Sequence, residues 1–312
     1  MARRILIHLP RHMVEELSDN RPHFYTKLRA TLHGAGAQVE IIDRLPGNPA
    51  PDPDDGDFHF IHQSSHRQPN VLNTGLAYVA PFWYADPHGI YGDSSVTHAL
   101  FDPATVPRAE AEGFHARLYK RLATARQSRY GQPEAVEVFP DGCIAVFLQG
   151  ASDLLVRSAH VTTRAMVEAV LAHSDGRPVV VKPHPRDADP DALDWLHRLA
   201  GQGALSVTRA NIHDILTAAA VTVSVNSAVA LEGMIHARPA VLFGRSDLHH
   251  NAVTVTDVSA WPEALGQALS QDWPYARFLH WFLFGAMLNT GHDSFAPRLM
   301  ARIPQRAAFG LG

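Results

Sequence analysis

The sequence predicts an α/β protein of two domains, and three observations carry that expectation. With 312 residues, 46% hydrophobic and 19% charged, the chain has about twice the length of a typical domain. Its opening reads strand, helix, strand. Its second half alternates short apolar runs with helical stretches of roughly 10 to 15 residues, the pattern of a parallel sheet covered on both faces.

Taken in order, RILIHL (4 to 9) is a short apolar strand, HFYTKLRATLH (23 to 33) has helical periodicity, and QVEIID (38 to 43) is a second strand. The intervening GAGAQV (34 to 39) has the glycines of a dinucleotide fingerprint. It follows a helix and precedes a strand, however, the reverse of the order that brings a pyrophosphate to a helix N-terminus. It reads as a helix C-cap, and NAD binding is set aside although Asp43 ends the second strand. After the proline-rich loop at 46 to 57, FHFIHQ (58 to 63) predicts a third strand. Regular periodicity is then lost over PNVLNTGLAYVAPFWYADPHGIYGDSSVTH (69 to 98), a stretch rich in aromatic and polar side chains. Ordering so long a segment costs chain entropy, which favours a functional loop; the alternative is an extended excursion packed by Phe82, Trp83 and Tyr84. A helix is predicted through 109 to 128, and the Gly and Pro of GQPEAVEVFPDG (131 to 142) mark a linker.

The second half predicts strands at CIAVFLQ (143 to 149), PVVVKPH (178 to 184), ALSVTR (204 to 209), VTVSVN (221 to 226), PAVLFG (239 to 244) and VTVTD (253 to 257). Helical segments fall over 158 to 173, 189 to 201, 211 to 220 and 227 to 237. PYARFLHWFLFGAMLNTG (274 to 291) adds a last helical, aromatic-rich pattern, expected to pack across both domains. The expected boundaries are thus 1–138, 139–273 and a terminal helical segment over 274–312.

Composition narrows the function. Net charge is −4, without the basic field that drives binding to nucleic acid. The single cysteine, Cys143, has no partner for an internal disulfide, and MARRILIHLPRH lacks the apolar core and cleavage site of a secretory signal. A cytoplasmic protein is expected. FLHWFLFGAMLN (278 to 289) is too short beside the ~20 apolar residues that span a bilayer, so work on membrane-linked material would be done by peripheral association. Twenty histidines raise the question of a metal, but HEXXH is absent. Neither His8 with His12 nor His249 with His250 belongs to a set of recognisable ligand spacing, and no metal is expected. A serine hydrolase is disfavoured because no G-x-S-x-G elbow is present.

In open parallel sheets, ligands gather beyond the carboxyl ends of the strands, and polar residues are concentrated there. VVVKPHPRD places Lys182, His184 and Arg186 at the mouth of one strand, with Pro183 and Pro185 restricting the backbone around the histidine. VTVSVN runs directly into SAVALEGMIHARP, which sets Ser224, Asn226 and Ser227 at a helix N-terminus with free amides, an anion site. Glu232, five positions beyond Ser227, is placed to reach hydroxyls of a ligand whose phosphate sits at the cap. Each feature alone has an ordinary reading as a cap, a surface carboxylate or a polar strand tip; their joint occurrence at two strand ends of one sheet favours a site.

These residues carry a resemblance. KPHPRD, followed by SVNSAVALEGMIHARPAVLFG, resembles the paired motifs of the capsule polysaccharide biosynthesis proteins, the family that includes Kdo (3-deoxy-D-manno-octulosonic acid) transferases. IAVFLQGASDLLV is similar to their strand that ends in glutamine with an aspartate four residues on, here Gln149 and Asp153. The likeness covers residues 140 to 250, with a looser match around PFWYADPHGIYGDSSV. It implies a GT-B architecture: two Rossmann-like domains facing across a cleft, the C-terminal one holding the nucleotide sugar and a final helix returning to the N-terminal, acceptor-side domain. For a CMP-sugar donor, the resemblance puts the phosphate against His184, next to Pro185 and Lys182, and the Ser224/Asn226/Ser227 turn, and Glu232 on the nucleoside. No cofactor or divalent metal is then required.

The implied reaction transfers an acidic, Kdo-like sugar to a saccharide or glycolipid acceptor. As the bond to phosphate breaks, donors aimed at the departing nucleotide lower the barrier, and a protonated His184 supplies both charge and a proton. The acceptor hydroxyl needs a base, or the sugar a carboxylate nucleophile; Asp153, Asp86 and Asp93 are the candidates, with His88 behind them. Inversion and retention stay open. The run HQSSHRQPN (62 to 70) has no assignment in this scheme. Two other classes fit the scaffold: a non-catalytic or sugar-binding relative, and a hydrolase or epimerase of nucleotide sugars.

Overall fold

The computed structural model of the chain describes residues 3–18, 23–44, 47, 49–150, 156–185, 190–304 and 309. The strands are β1 Ile5–Leu9, β2 Val39–Asp43, β3 Phe58–His62, β4 Val71–Leu76, β5 Phe82–Asp86, β6 Cys143–Phe147, β7 Val179–Lys182, β8 Ser206–Val207, β9 Ala219–Ser224, β10 Ala240–Leu242, β11 Val253–Thr254 and β12 Leu288–Asn289. The α-helices are α1 Arg11–Ser18, α2 Phe24–Gly34, α3 Arg108–Tyr119, α4 Thr163–Ala172, α5 Pro190–Gly201, α6 Ile212–Ala218, α7 Val229–Ile235, α8 Trp261–Ser270, α9 Tyr275–Leu279 and α10 Phe295–Met300. The chain divides into two compact units, Met1–Ala99 with Phe282–Gly312, and Leu100–Trp281.

The first unit holds a six-stranded sheet of order β12-β5-β4-β3-β1-β2. β2, β1, β3 and β4 run parallel, while β5 and β12 are antiparallel additions at one edge. Side chains alternate across a strand, so Ile5, Ile7 and Leu9 of β1 and Phe58 and Phe60 of β3 enter one core. Phe24, Leu28 and Leu32, at helical spacing on α2, cover that face together with Phe295 and Leu299 of α10. The stretch expected to be irregular contains two strands, β4 and β5. β4 escapes a hydropathy pattern because Asn73 and Thr74 are fully buried within it. Asn73 accepts from Ser64 Oγ at 2.5 Å and donates to the Asp86 carbonyl at 3.0 Å, while Thr74 Oγ1 lies 2.7 Å from Tyr25 Oη. Polar groups with such partners are tolerated in a core.

The second unit is a fully parallel sheet of order β11-β10-β9-β6-β7-β8. β6 is central and buried on both sides: Ile144 and Val146 belong to one core cluster, Cys143, Ala145 and Phe147 to another. That is why CIAVF reads as an unbroken apolar run.

The division falls elsewhere than Gly and Pro content suggests. Residues 100–138 belong with the second unit, since His115 Nε2 on α3 donates to the Ile235 carbonyl at 2.8 Å and Arg126 pairs with Asp214. The terminal pattern is not one helix: α9 passes into a π-helical stretch, His280–Ala286, and the chain then extends as β12 against β5. Among the described residues no helix is long and apolar enough to cross a membrane, and no group of three metal-ligating side chains is placed to hold an ion.

Candidate functional site

The carboxyl ends of three neighbouring strands of the second unit, β9, β6 and β7, bring the predicted residues together. Two residues past β6, Gln149 makes a reciprocal pair with the turn after β9: the Asn226 backbone amide donates to Gln149 Oε1 at 2.9 Å, and Gln149 Nε2 donates to Asn226 Oδ1. Two residues past β7, the half-buried imidazole of His184 lies over Gly150. A methyl group at 150 would meet His184 Nδ1 at 3.1 Å, so a glycine there lets the ring approach the end of β6. Tyr130 packs edge-on against the same imidazole, centroids 5.3 Å apart at 87°.

The turn itself is closed by its own side chains. Ser224 Oγ accepts from the Ser227 amide at 3.1 Å and Ser227 Oγ from the Val229 amide at 3.3 Å, while the Asn226 amide is held by Gln149. The expectation of free amides is therefore corrected at Asn226 and Ser227. What this end of the sheet offers a ligand is the imidazole together with the side chains of Asn226 and Ser227.

Glu232 is almost wholly buried on α7. Burial pushes its carboxyl up to about 7, against the opposing influences of a hydrogen bond from Ser128 and the charge of Arg129. Its Oε1 has no hydrogen-bond partner. A buried acceptor without a donor is costly and disposes the site to a ligand that brings one. Ser128, Arg129 and Tyr130 escaped the sequence reading because they border a stretch whose Gly and Pro content suggests a linker. That stretch is anchored instead. His213 Nε2 donates to the Gln127 carbonyl at 2.8 Å, Asn211 Nδ2 to the Arg126 and Pro133 carbonyls at 3.3 and 3.2 Å, and the Ile212 amide to Gln132 Oε1 at 3.1 Å. The available signal was ANIHD, a polar cap opening α6.

Other predicted residues are placed differently. Lys182 is engaged within the protein: its buried ammonium donates to the Arg209 and Ala210 carbonyls at 3.0 and 2.5 Å, and burial lowers its pKa. It ties the end of β7 to the loop before α6. Pro185 is exposed in a turn. Asp153 and Arg186 lie outside the described residues. In the first unit, Asp86 organises the loop after β5, accepting at Oδ1 from the amides of His88, Gly89 and Ser95 and at Oδ2 from Ser95 Oγ at 2.5 Å. These bonds occupy most of a carboxylate's accepting capacity, which argues for a framework role in place of a catalytic one. Asp93 is half-buried in a 3-10 turn, and Gly89 permits its approach, since a methyl at 89 would meet Asp93 Cβ at 2.8 Å. Tyr78 and Tyr91 hold φ of 64° and 55°, a left-handed conformation that is strained for aromatic residues and concentrates at functional loops.

Two Rossmann-like α/β units, the second with a polar cluster where its central strands end, give the chain the GT-B-like fold class expected from its sequence. No family model and no curated protein matches it. Among solved structures, it is similar to KpsC beta Kdo 2,4 transferase from Thermosulfurimonas dismutans at a TM-score of 0.51 and 17% identity, over 85% of this chain and 90% of that one. The KpsC beta Kdo 2,7 transferase of the same organism aligns at 0.51 and 15% over the same shares. UDP-GlcNAc 2-epimerase from Methanocaldococcus jannaschii, in complex with UDP-GlcNAc and UDP, aligns at 0.41 and 10% over 97% of this chain and 99% of that one. At these identities the likeness is one of fold.

Proposed function

We propose that the chain is a glycosyltransferase that takes an acidic, Kdo-like sugar from a CMP-activated donor to a saccharide or glycolipid acceptor. The observation that carries this reading is the convergence of His184, Gly150, the Gln149–Asn226 pair and Ser227 at adjacent strand ends, with Glu232 holding an unpaired acceptor on the helix that follows. The fold shared with two Kdo transferases supports it. The donor phosphate would rest against the imidazole and the side chains of Asn226 and Ser227, and Glu232 would accept from nucleoside hydroxyls.

Chemically, the site stabilises a leaving group. Negative charge that builds on the departing nucleotide meets an imidazole fixed between Gly150 and Tyr130, and a donor fixed before the reaction has no reorganisation cost during it. Protonated His184 would transfer its proton to the phosphate oxygen as the bond breaks. Asp93 and Asp153 remain the carboxylates proposed for the acceptor or nucleophile role. Peripheral association with a membrane belongs to the same proposal, for a glycolipid acceptor.

Thermal denaturation with CMP, UDP and GDP tests the reading. CMP should raise the melting temperature, and His184→Ala should abolish the shift. A shift with UDP alone would redirect the site to a nucleotide-sugar epimerase or hydrolase, and no shift with any nucleotide would remove it.

A further inference from the structure

The second unit closes a ring of interactions that begins and ends at Glu232 and passes through a buried pair of histidines. Ser128 donates to the Glu232 carboxyl. Its neighbour Gln127 accepts through its carbonyl from His213 Nε2 at 2.8 Å, and His213 Nδ1 lies 2.9 Å from His236 Nε2. His236 follows the last residue of α7, and its amide donates to the Glu232 carbonyl, one turn back, at 3.3 Å. The ring therefore ties the segment that carries Ser128 to the helix that carries Glu232. A carbonyl only accepts, so His213 carries its proton on Nε2. A neutral His213 then presents a lone pair at Nδ1, and His236 must donate to it through Nε2–H. Burial is the main cause that lowers His213, with Arg126 adding to it and the Gln127 carbonyl and Asp214 opposing. It also holds His236 at about 4, together with His213, Arg238 and His115. Both rings are accordingly neutral at pH 7, as the proton order requires.

Helix α6 grips the same segment at its other end. The Ile212 amide donates to Gln132 Oε1 at 3.1 Å, so Gln127 and Gln132 are pinned by adjacent residues of one helix. Between the pins, Ser128 turns to Glu232, Arg129 acts on the same carboxyl by its charge, and Tyr130 packs edge-on against His184. The Arg129 guanidinium lies 5.6 Å from the Tyr130 ring centroid, which joins the two contacts. Residues 127–132 have no regular secondary structure of their own. Ordering such a stretch costs chain entropy, and a stretch ordered before a ligand arrives spares the ligand that cost. His213 is only 3% exposed and has both ring nitrogens engaged, so it has no atom to offer a ligand. Its effect on the site passes through the segment that it holds.

We propose that residues 127–132 form a wall of the nucleotide site and that His213, backed by His236, is the positioning residue that sets this wall; the proposal rests on the nucleotide-site reading above. His213 fixes the Gln127 carbonyl, and through it the hydroxyl that meets Glu232 and the ring that meets His184. A nucleotide laid along the wall finds the carboxyl, the Arg129 cation and the imidazole already arranged, with nothing to reorganise on binding. Loosening the Gln127 anchor frees Ser128 from Glu232 and Tyr130 from His184 together, although neither of those contacts involves His213 directly.

The test uses the full chain in two arms. In the first, without nucleotide, 15N-histidine spectra at pH 7 should show His213 and His236 each protonated at Nε2; a proton on Nδ1 of His213 overturns the proposal. His213→Asn keeps an amide near the Nδ1 position but strips the Gln127 carbonyl of its donor, whereas His213→Gln keeps a donor near Nε2. The Glu232 carboxyl, followed by 13C NMR against pH, should titrate at about 7 in wild type and higher in His213→Asn, because the hydrogen bond from Ser128 that lowers it is loosened. Ser128→Ala leaves the buried histidines in place and should raise the midpoint likewise; an unchanged midpoint there overturns the proposal even where His213→Asn fails to fold. In the second arm, titration calorimetry should show His213→Asn binding CMP about tenfold more weakly, the effect of one lost hydrogen bond, and His213→Gln recovering most of that affinity. A His213→Asn chain that melts earlier but keeps the wild-type Glu232 midpoint and CMP affinity has lost only packing, which also overturns the proposal. A wild-type chain that binds no nucleotide removes the nucleotide-site reading, and the part of the wall in it, whatever the spectra show. Tight CMP binding with no difference between the Asn and Gln variants removes the role of His213 alone.

Discussion

Replacing Glu232 by Gln should make the empty protein more stable at neutral and alkaline pH, an unusual result for a change at a binding site. The carboxyl is fully buried, one oxygen lacks a partner, and burial lifts its pKa from 4.5 to about 7. Because the folded-state value lies above the unfolded one, the folded chain holds this proton more tightly. The resulting stability is complete below pH 4.5 and is lost as pH rises through about 7. A displacement of that size corresponds to at most about 3 kcal/mol, or roughly 6 to 12 °C in Tm for a unit of this size. Calorimetry of wild type and Glu232→Gln between pH 4 and 8, without nucleotide, reads the effect directly: the curves should run closest near pH 4 and separate as pH rises toward 7. CMP should narrow the gap at pH 8 by bringing hydroxyl donors to the ionised oxygen. Parallel curves across the range would refute the reasoning, for they would mean that the carboxyl is as well solvated in the folded chain as in the unfolded one.

Gly150→Ala should displace the His184 imidazole from the end of β6 and weaken CMP binding about tenfold, equivalent to ~1.4 kcal/mol, with little change in Tm; titration calorimetry distinguishes the two. Lys182→Met keeps most of the stem but strips the Arg209 and Ala210 carbonyls of their donor, and should cost about 1–3 kcal/mol in urea denaturation with the CMP shift intact. Asp86→Asn should speed hydrogen exchange at the His88, Gly89 and Ser95 amides and destabilise the first unit by about 1–3 kcal/mol; exchange rates unchanged from wild type would show that the loop does not depend on this carboxylate.

The parallel sheet of the second unit was legible because its strands are buried on both faces, so that CIAVF and VVVK stand out as apolar runs with polar residues gathered just past their ends. The same logic singled out His184, Gln149, Asn226 and Ser227, which lie at neighbouring strand ends of that sheet. It failed where burial is polar. VLNTGL conceals a core strand because Asn73 and Thr74 satisfy each other's surroundings through Ser64, Asp86 and Tyr25, and side-chain partners cannot be read from periodicity. Lys182 was misassigned for a related reason: a lysine at a strand end looks like a ligand contact until the carbonyls it meets, 27 and 28 residues on, are known. The segment 131–142 was read as a linker because its restraints come from Asn211, Ile212 and Asp214, far along the chain.

The first sheet draws its edge strand β12, and the core residues Phe295, Leu299 and Ile303, from the far end of the chain, whereas the other unit is one uninterrupted run from Leu100 to Trp281. On a ribosome that emits the chain from its amino end, the later-encoded unit can finish first. The earlier one must wait, its apolar sheet uncovered, until the last helix has emerged. Nascent chains halted near residue 285 should accordingly engage chaperones through the part that was made first.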